Sequence, residues 1–225
     1  MKRLLIPCCG LLALVNAVRA EPSAKSKPPH VVLIMTDDMG WMDLACQGNG
    51  KLRTPNIDAL AKQGMRFTDA YSASPVCSPT RAALITGWAP ARLNILQHGA
   101  DEPKFWPEDR KVQPPEIEHI LPLERVTLAE RLKESGYATG FFGKWHLSGT
   151  DVKEDDPATG GPAFYSDRQG FDVNFGGCGK GGPPTYFDPY RIPTLEPRKK
   201  GEYLTDRLAD ETINWMRGHH DQPMF

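Results

Sequence analysis

The feature that most constrains this chain is a short apolar run, His30-Val31-Val32-Leu33-Ile34-Met35-Thr36, that ends abruptly in two carboxylates, Asp37 and Asp38. A run apolar on both faces and rich in β-branched side chains suits an interior strand of a parallel sheet covered by helices. A helix buried in the core is the alternative, but the run is short and stops in acids, which favours the strand. Asp37 and Asp38 then leave that strand at its carboxyl end. Adjacent carboxylates repel each other, and a hard divalent cation with oxygen ligands would stabilise them there. Read alone, the pair suits a solvated turn or a helix cap slightly better.

The pattern beyond this run alternates. Thr54-Pro55 opens a helix with Thr as N-cap, Ile57, Leu60 and Ala61 form its stripe, and Gly64 stops it. Residues 65–72 read as a second strand, and residues 79–86 as a helix ended by Gly87. The stretch 88–122, rich in proline and charge, reads as an irregular excursion. Thr127-Leu128-Ala129-Glu130 is a capping box for a helix running to Ser135 and closed at Gly136. Residues 137–142 then read as a strand running into Gly143-Lys144-Trp145-His146. Residues 160–197 read as Gly- and Pro-rich loop with short pieces of structure, and 205–217 as an amphipathic helix with Leu208, Ala209, Thr212, Trp215 and Met216 on one side. Such alternation predicts an α/β fold, a mixed, mostly parallel central sheet with helices on both faces. Open sheets of this kind bind ligands beyond the carboxyl ends of their strands. Asp37-Asp38 and the Lys144 to His146 segment both fall at such ends.

At the amino end, Lys2 and Arg3 precede a mostly apolar stretch, residues 4–15, and Val18-Arg19-Ala20 offers a cleavage site. That stretch is too short to span a bilayer. Residues 1–20 therefore read as a signal peptide and 21–29 as a flexible tether, and the chain is expected to be exported, periplasmic or extracellular, with no membrane span. A net charge of -1 argues against a nucleic-acid partner, which needs a surplus of Lys and Arg. Glycine and proline each number 21, in keeping with long connecting segments that carry a site. Beyond the leader stand Cys46, Cys77 and Cys178, an odd number in an oxidising compartment. One disulfide with the third thiol buried is the plain reading, and the pairing stays open.

Cys77-Ser78-Pro79-Thr80-Arg81 stands at a helix mouth, where exposed amides and the helix dipole favour negative charge. Arg81 lies one turn further on and can reach back toward the same place. A structural cysteine and a surface arginine explain these two residues about as well by themselves. With its continuation, Ala82-Ala83-Leu84-Ile85-Thr86-Gly87, the segment resembles the signature of the type I, formylglycine-dependent sulfatases of the alkaline-phosphatase-like superfamily. Three more segments resemble that family in the same order: Thr36-Asp37-Asp38, Thr54-Pro55-Asn56-Ile57-Asp58 and Gly143-Lys144-Trp145-His146-Leu147. Gly170-Phe171-Asp172 fits as well, so the resemblance runs from about His30 to the end.

The resemblance implies that a formylglycine-generating maturation enzyme oxidises Cys77 to formylglycine (3-oxoalanine) during export. It further implies calcium (Ca2+) bound by Asp37, Asp38 and an oxygen of the modified Cys77, with Arg81 holding that residue. Lys144 and His146 would contact its hydroxyls and the sulfate; without the family they read as a surface lysine and a satisfied strand-end histidine. The implied reaction is hydrolysis of a sulfate ester on a sulfated carbohydrate or an aryl sulfate. One hydroxyl of the hydrated aldehyde attacks sulfur, and the second later expels sulfate. The rival readings are a phosphate or phosphonate ester hydrolase of the same superfamily and a non-catalytic sulfated-glycan binding protein. Members of the family are usually longer and draw further calcium ligands, a His and a Lys from downstream. Residues 30–225 are thus expected to form the N-terminal part of a catalytic domain, binding calcium poorly and turning over little substrate alone. His98 and His119 receive no role. Lys180 and Arg198-Lys199-Lys200 read as loop, and His219-His220 as a helix terminus.

Overall fold

Most of the helix punctuation legible in the sequence recurs in the computed structural model, which describes residues 27–98, 109, 111, 112, 115–149 and 160–225. The expected leader and most of the tether lie outside the described residues. Helix α1 spans Pro55–Gln63, α2 Cys77–Thr86, α3 Pro90–Leu93, α4 Leu128–Glu134 and α5 Leu204–Gly218. The capping box at α4 is closed in both directions: Glu130 N donates to Thr127 Oγ1 at 3.1 Å, and Thr127 N donates to Glu130 Oε2 at 2.6 Å. Gly87 ends α2 in the left-handed region at φ 71°, a conformation that costs glycine nothing. Helix α2 begins at Cys77, two residues before Pro79, so the proline sits in its first turn. At α1 the Thr54 hydroxyl caps nothing. It accepts from Ala45 N and donates to Asp58 Oδ1, both at 2.9 Å, tying the helix start to the 3-10 turn Ala45–Gln47.

Two strands, β1 (Gly140–Phe142) and β2 (Val173–Phe175), pair in parallel, with Gly140 opposite Val173 and Phe142 opposite Phe175. On the other edge of β1, Ala138 forms a parallel bridge to Met224, through Ala138 N to Pro223 O at 2.9 Å and Phe225 N to Ala138 O at 2.8 Å, and Gly140 N extends the pairing to Phe225 O at 2.8 Å. Side chains alternate across a strand, and here the alternation separates two layers. Phe141 meets Trp145 and Phe171 edge-on, each at 5.2 Å between centroids, and packs against the core formed with Ala82 and Ile85 of α2 and Ala129 of α4. Phe142 stacks on Phe175 at 5.4 Å and meets Trp215 of α5 at 5.8 Å. The result is an α/β arrangement, a parallel sheet with helices packed against both faces.

Two expected strands are absent from it. Residues 30–36 are extended but join no ladder; among the described residues their one backbone bond runs from Val31 N to Met224 O at 2.8 Å. Ile34 is 78% exposed. An apolar run becomes an interior strand only where it finds neighbours at both edges and layers on both faces, and this run finds neither. Residues 65–72 form no strand either, leaving Met65 80% and Tyr71 89% exposed. The plain reading of one disulfide among Cys46, Cys77 and Cys178 is not met either: no bridge joins them. Arg198, expected in a solvated loop, instead pairs with Glu202 just ahead of α5 and, at 2.8 Å, ties the loop to Asp210 of that helix.

Candidate active site

Asp37, Arg81 and Lys144 converge from three parts of the chain. Arg81 Nη2 donates to Asp37 Oδ1 at 3.0 Å, and Lys144 Nζ donates to Asp37 Oδ2 at 2.7 Å. Arg81 Nη1 also donates to the Lys144 carbonyl. The second turn of α2 places Arg81, and the exit of β1 places Lys144. Burial pushes the Asp37 carboxyl up, but the hydrogen bonds from Lys144 and Arg81, with their charges, outweigh it and hold the group below the usual carboxylate range.

Cys77 opens α2, half-buried, with a free thiol. Its neighbour Ser78 is buried and donates Oγ to the His146 carbonyl at 2.9 Å, while His146 N donates to Cys178 O at 2.9 Å. His146 is thereby held at φ 58°, a left-handed conformation uncommon outside glycine and typical of sites that surrounding structure over-determines. Burial first, then the charges of Lys144, His98 and Arg81, push its imidazole down to about 4, against a smaller upward pull from Asp37. The ring is neutral at pH 7.

Two features here were not legible in the sequence. His98 lies in irregular chain, yet its ring comes to 6.1 Å from that of His146; no local pattern marks it. The stretch 176–182, read as a flexible loop, is tied down: Asn174 accepts from Gly177 N at 2.8 Å and donates to Gly177 O at 2.9 Å, and Cys178 is buried. The adjacent histidines at the end of α5 remain at its terminus, as expected, with His219 stacked on Trp215 at 4.5 Å.

Asp37 and Asp38 offer the hard oxygens that calcium takes, and Asp37 already draws positive charge. Calcium needs about six to eight oxygens, however, and among the described residues no group of three His, Cys, Asp or Glu side chains forms. Asp38, exposed and at φ 55°, and Cys77 do not join Asp37 in one ligand group. The pair fits a hard cation as part of a ligand set, with the cation taking over the counter-charge that Lys144 and Arg81 supply. Chemically, two cations beside a helix N-terminus and a neutral imidazole suit a tetrahedral oxyanion.

N-acetylgalactosamine-6-sulfatase of Mus musculus is 36% identical over 239 residues, which cover 96% of this chain and 42% of the mouse protein. The chain therefore spans about two fifths of that relative's length. The solved structure of Ps i-CgsB in complex with k-i-k-neocarrahexaose superposes with a TM-score of 0.65 at 28% identity, over 88% of this chain and 43% of that one. Phosphonate monoester hydrolase of Agrobacterium radiobacter, at a TM-score of 0.53 and 23% identity over 88% of this chain and 40% of its own, shares the fold alone. The family model described as Sulfatase matches residues 29–225, the same stretch that carries the α/β sheet and the Asp37, Arg81 and Lys144 constellation, and the chain belongs to the sulfatase family.

Proposed function

We propose that the protein carrying this chain is a sulfuric ester hydrolase. It cleaves a sulfate ester on a sulfated carbohydrate or aryl sulfate, with Cys77 matured to formylglycine and calcium held by Asp37, Asp38 and residue 77. The observation that carries the reading is the convergence of Arg81 and Lys144 on Asp37 beside the turn that Cys77 opens, in a chain that the Sulfatase model matches over residues 29–225. A neighbour solved with a carrahexaose and a relative named for N-acetylgalactosamine 6-sulfate chemistry favour a carbohydrate substrate.

The aldehyde at position 77, when hydrated, would supply two hydroxyls on one carbon, one to attack sulfur as the ester alcohol leaves and one to expel sulfate and restore the aldehyde, and calcium held by Asp37, Asp38 and residue 77 would offset charge on the sulfuryl oxygens. The chain's own residues do the rest. Arg81 and Lys144 present preorganised positive charge where the sulfuryl oxygens gain negative charge. The amides at the start of α2 point the same way. His146, neutral, would accept a hydrogen bond from a hydroxyl on the hydrated residue 77 and leave the cationic contacts to the other two. Ser78 and the Cys178 carbonyl hold His146 in place through its backbone.

The leader read at residues 1–20 implies export to the periplasm or the extracellular space, with the maturation enzyme meeting Cys77 on the way. Among the described residues no helix is long and apolar enough to cross a membrane.

Two measurements on full-length protein from its native source test the reading. Mass spectrometry of the peptide spanning Cys77 should show an aldehyde in place of the thiol. Matched aryl sulfate and aryl phosphate esters should show the sulfate turned over faster, and Cys77→Ala should lower kcat/KM by about a thousandfold or more. An unmodified thiol with no turnover would hand the chain to the glycan-binding reading, and a preference for phosphate to the phosphatase one.

A further inference from the structure

An imidazole at a working site is ordinarily oriented by the hydrogen bond that its second nitrogen makes. His146 lacks one: its Nδ1 is buried and has no hydrogen-bond partner among the described residues. The backbone of residue 146 is pinned by Ser78 and Cys178, and Nδ1 adds no hydrogen bond that would fix the ring, so the packing around it matters. Gly181 lies against it so closely that a Cβ there would stand 2.9 Å from Cε1 and 3.1 Å from Nε2. Real Cβ atoms do not tolerate such an approach, so the ring occupies space that only glycine leaves open. The second neighbour is His98, with its ring at 6.1 Å and tilted by 30°. We propose that Gly181 and His98 set the orientation of the His146 imidazole by packing, Gly181 through its missing side chain, and that both are positioning residues of the sulfate ester site. This rests on the reading that His146 works at that site.

Gly181 makes a clean probe, because its backbone is outside the left-handed region and alanine there strains nothing except the ring contact. The test uses Gly181→Ala, His98→Ala, the double variant and His146→Ala in the full-length matured protein. Gly181→Ala should lower kcat about tenfold or more with KM within about twofold, as a small misplacement of a reacting group does. Its thermal midpoint should stay put, and the His146 ring resonance in histidine-labelled protein should move. His98→Ala should cost about two- to fivefold in kcat, and the double variant should lose less than the product of the two single losses, because both act through one ring. Gly181→Ala with an unaltered kcat and an unmoved His146 resonance overturns the inference, as does a double variant whose loss equals that product. His146→Ala with full activity removes the role of His146 itself, and the inference falls with it.

Discussion

Residues 30–72 and residues 115–225 carry apolar patterns of similar strength, yet only the second stretch builds a core. Leu121, Ala129, Trp145, Leu147 and Phe171 are buried together with Ala82 and Ile85 of α2, whereas Val32, Leu33, Ile34, Met65 and Phe67 face outward. The difference lies in neighbours. The 137–142 segment finds β2 on one edge, Met224 on the other and a helix layer on each face. The 30–36 segment touches the sheet through a single backbone bond. Apolar character decides what burial would stabilise, and partners decide whether burial happens. The candidate site straddles this boundary, for Arg81, Lys144 and His146 stand on the packed side and Asp37 and Asp38 on the exposed one. Two ion pairs to Asp37 bridge the halves.

Core truncation is the strongest way to break the comparison. Phe171 is buried among Phe141, Trp145 and Phe225, so Phe171→Ala should cost about 3–5 kcal/mol in urea unfolding. Ile34→Ala, at an exposed position, should stay within about 0.5 kcal/mol. Comparable losses at both positions would show residue 34 to be buried after all and erase the contrast.

A milder probe compares the two helix starts. Thr127→Ala removes a closed capping box and should cost about 1–2 kcal/mol. Thr54→Ala removes no cap bond, only the links to Ala45 and Asp58, and should cost about 0.5–1.5 kcal/mol. Equal losses would mean that the sequence signal for capping, present at both sites, outweighs the geometry. The same contrast shows what was legible beforehand. Thr127, Glu130, Gly87 and Gly136 act within one turn of themselves, so the residues alone place α4 and the end of α2. Strand β2 was hidden because Val173-Asn174-Phe175 is short and set among glycines, and its strand character comes from pairing with β1. Cys77, Arg81 and Lys144 were marked by motif, and Asp37 by its place after an apolar run. His98 and Gly181 were not, because each matters only through a ring that folding brings to it from elsewhere in the chain.

The subtlest effect concerns pH, and it separates the two sides of the boundary by window. His146 is held down to about 4 by burial and by the charges of Lys144, His98 and Arg81, partly countered by Asp37. Its unfolded value is about 6.5, so between those values the unfolded chain binds more protons than the folded one and stability falls as pH drops through that window. Asp37 is held below the usual carboxylate range. The stability it contributes is complete above its unfolded value of about 3.9 and is lost only as pH falls below that through its folded value. His146→Gln should therefore flatten the stability curve between about pH 6.5 and 4, and Asp37→Asn should flatten it only below about pH 4. Because Asp37 is partly exposed, solvent and salt screen its pairs and its effect should be the smaller one. Urea midpoints measured across both windows decide the matter: Asp37→Asn should shift the curve by a constant amount above about pH 4, and a flattening between about pH 6.5 and 4 as large as that from His146→Gln would show that the bridge across the boundary, rather than the buried ring, controls the acid response.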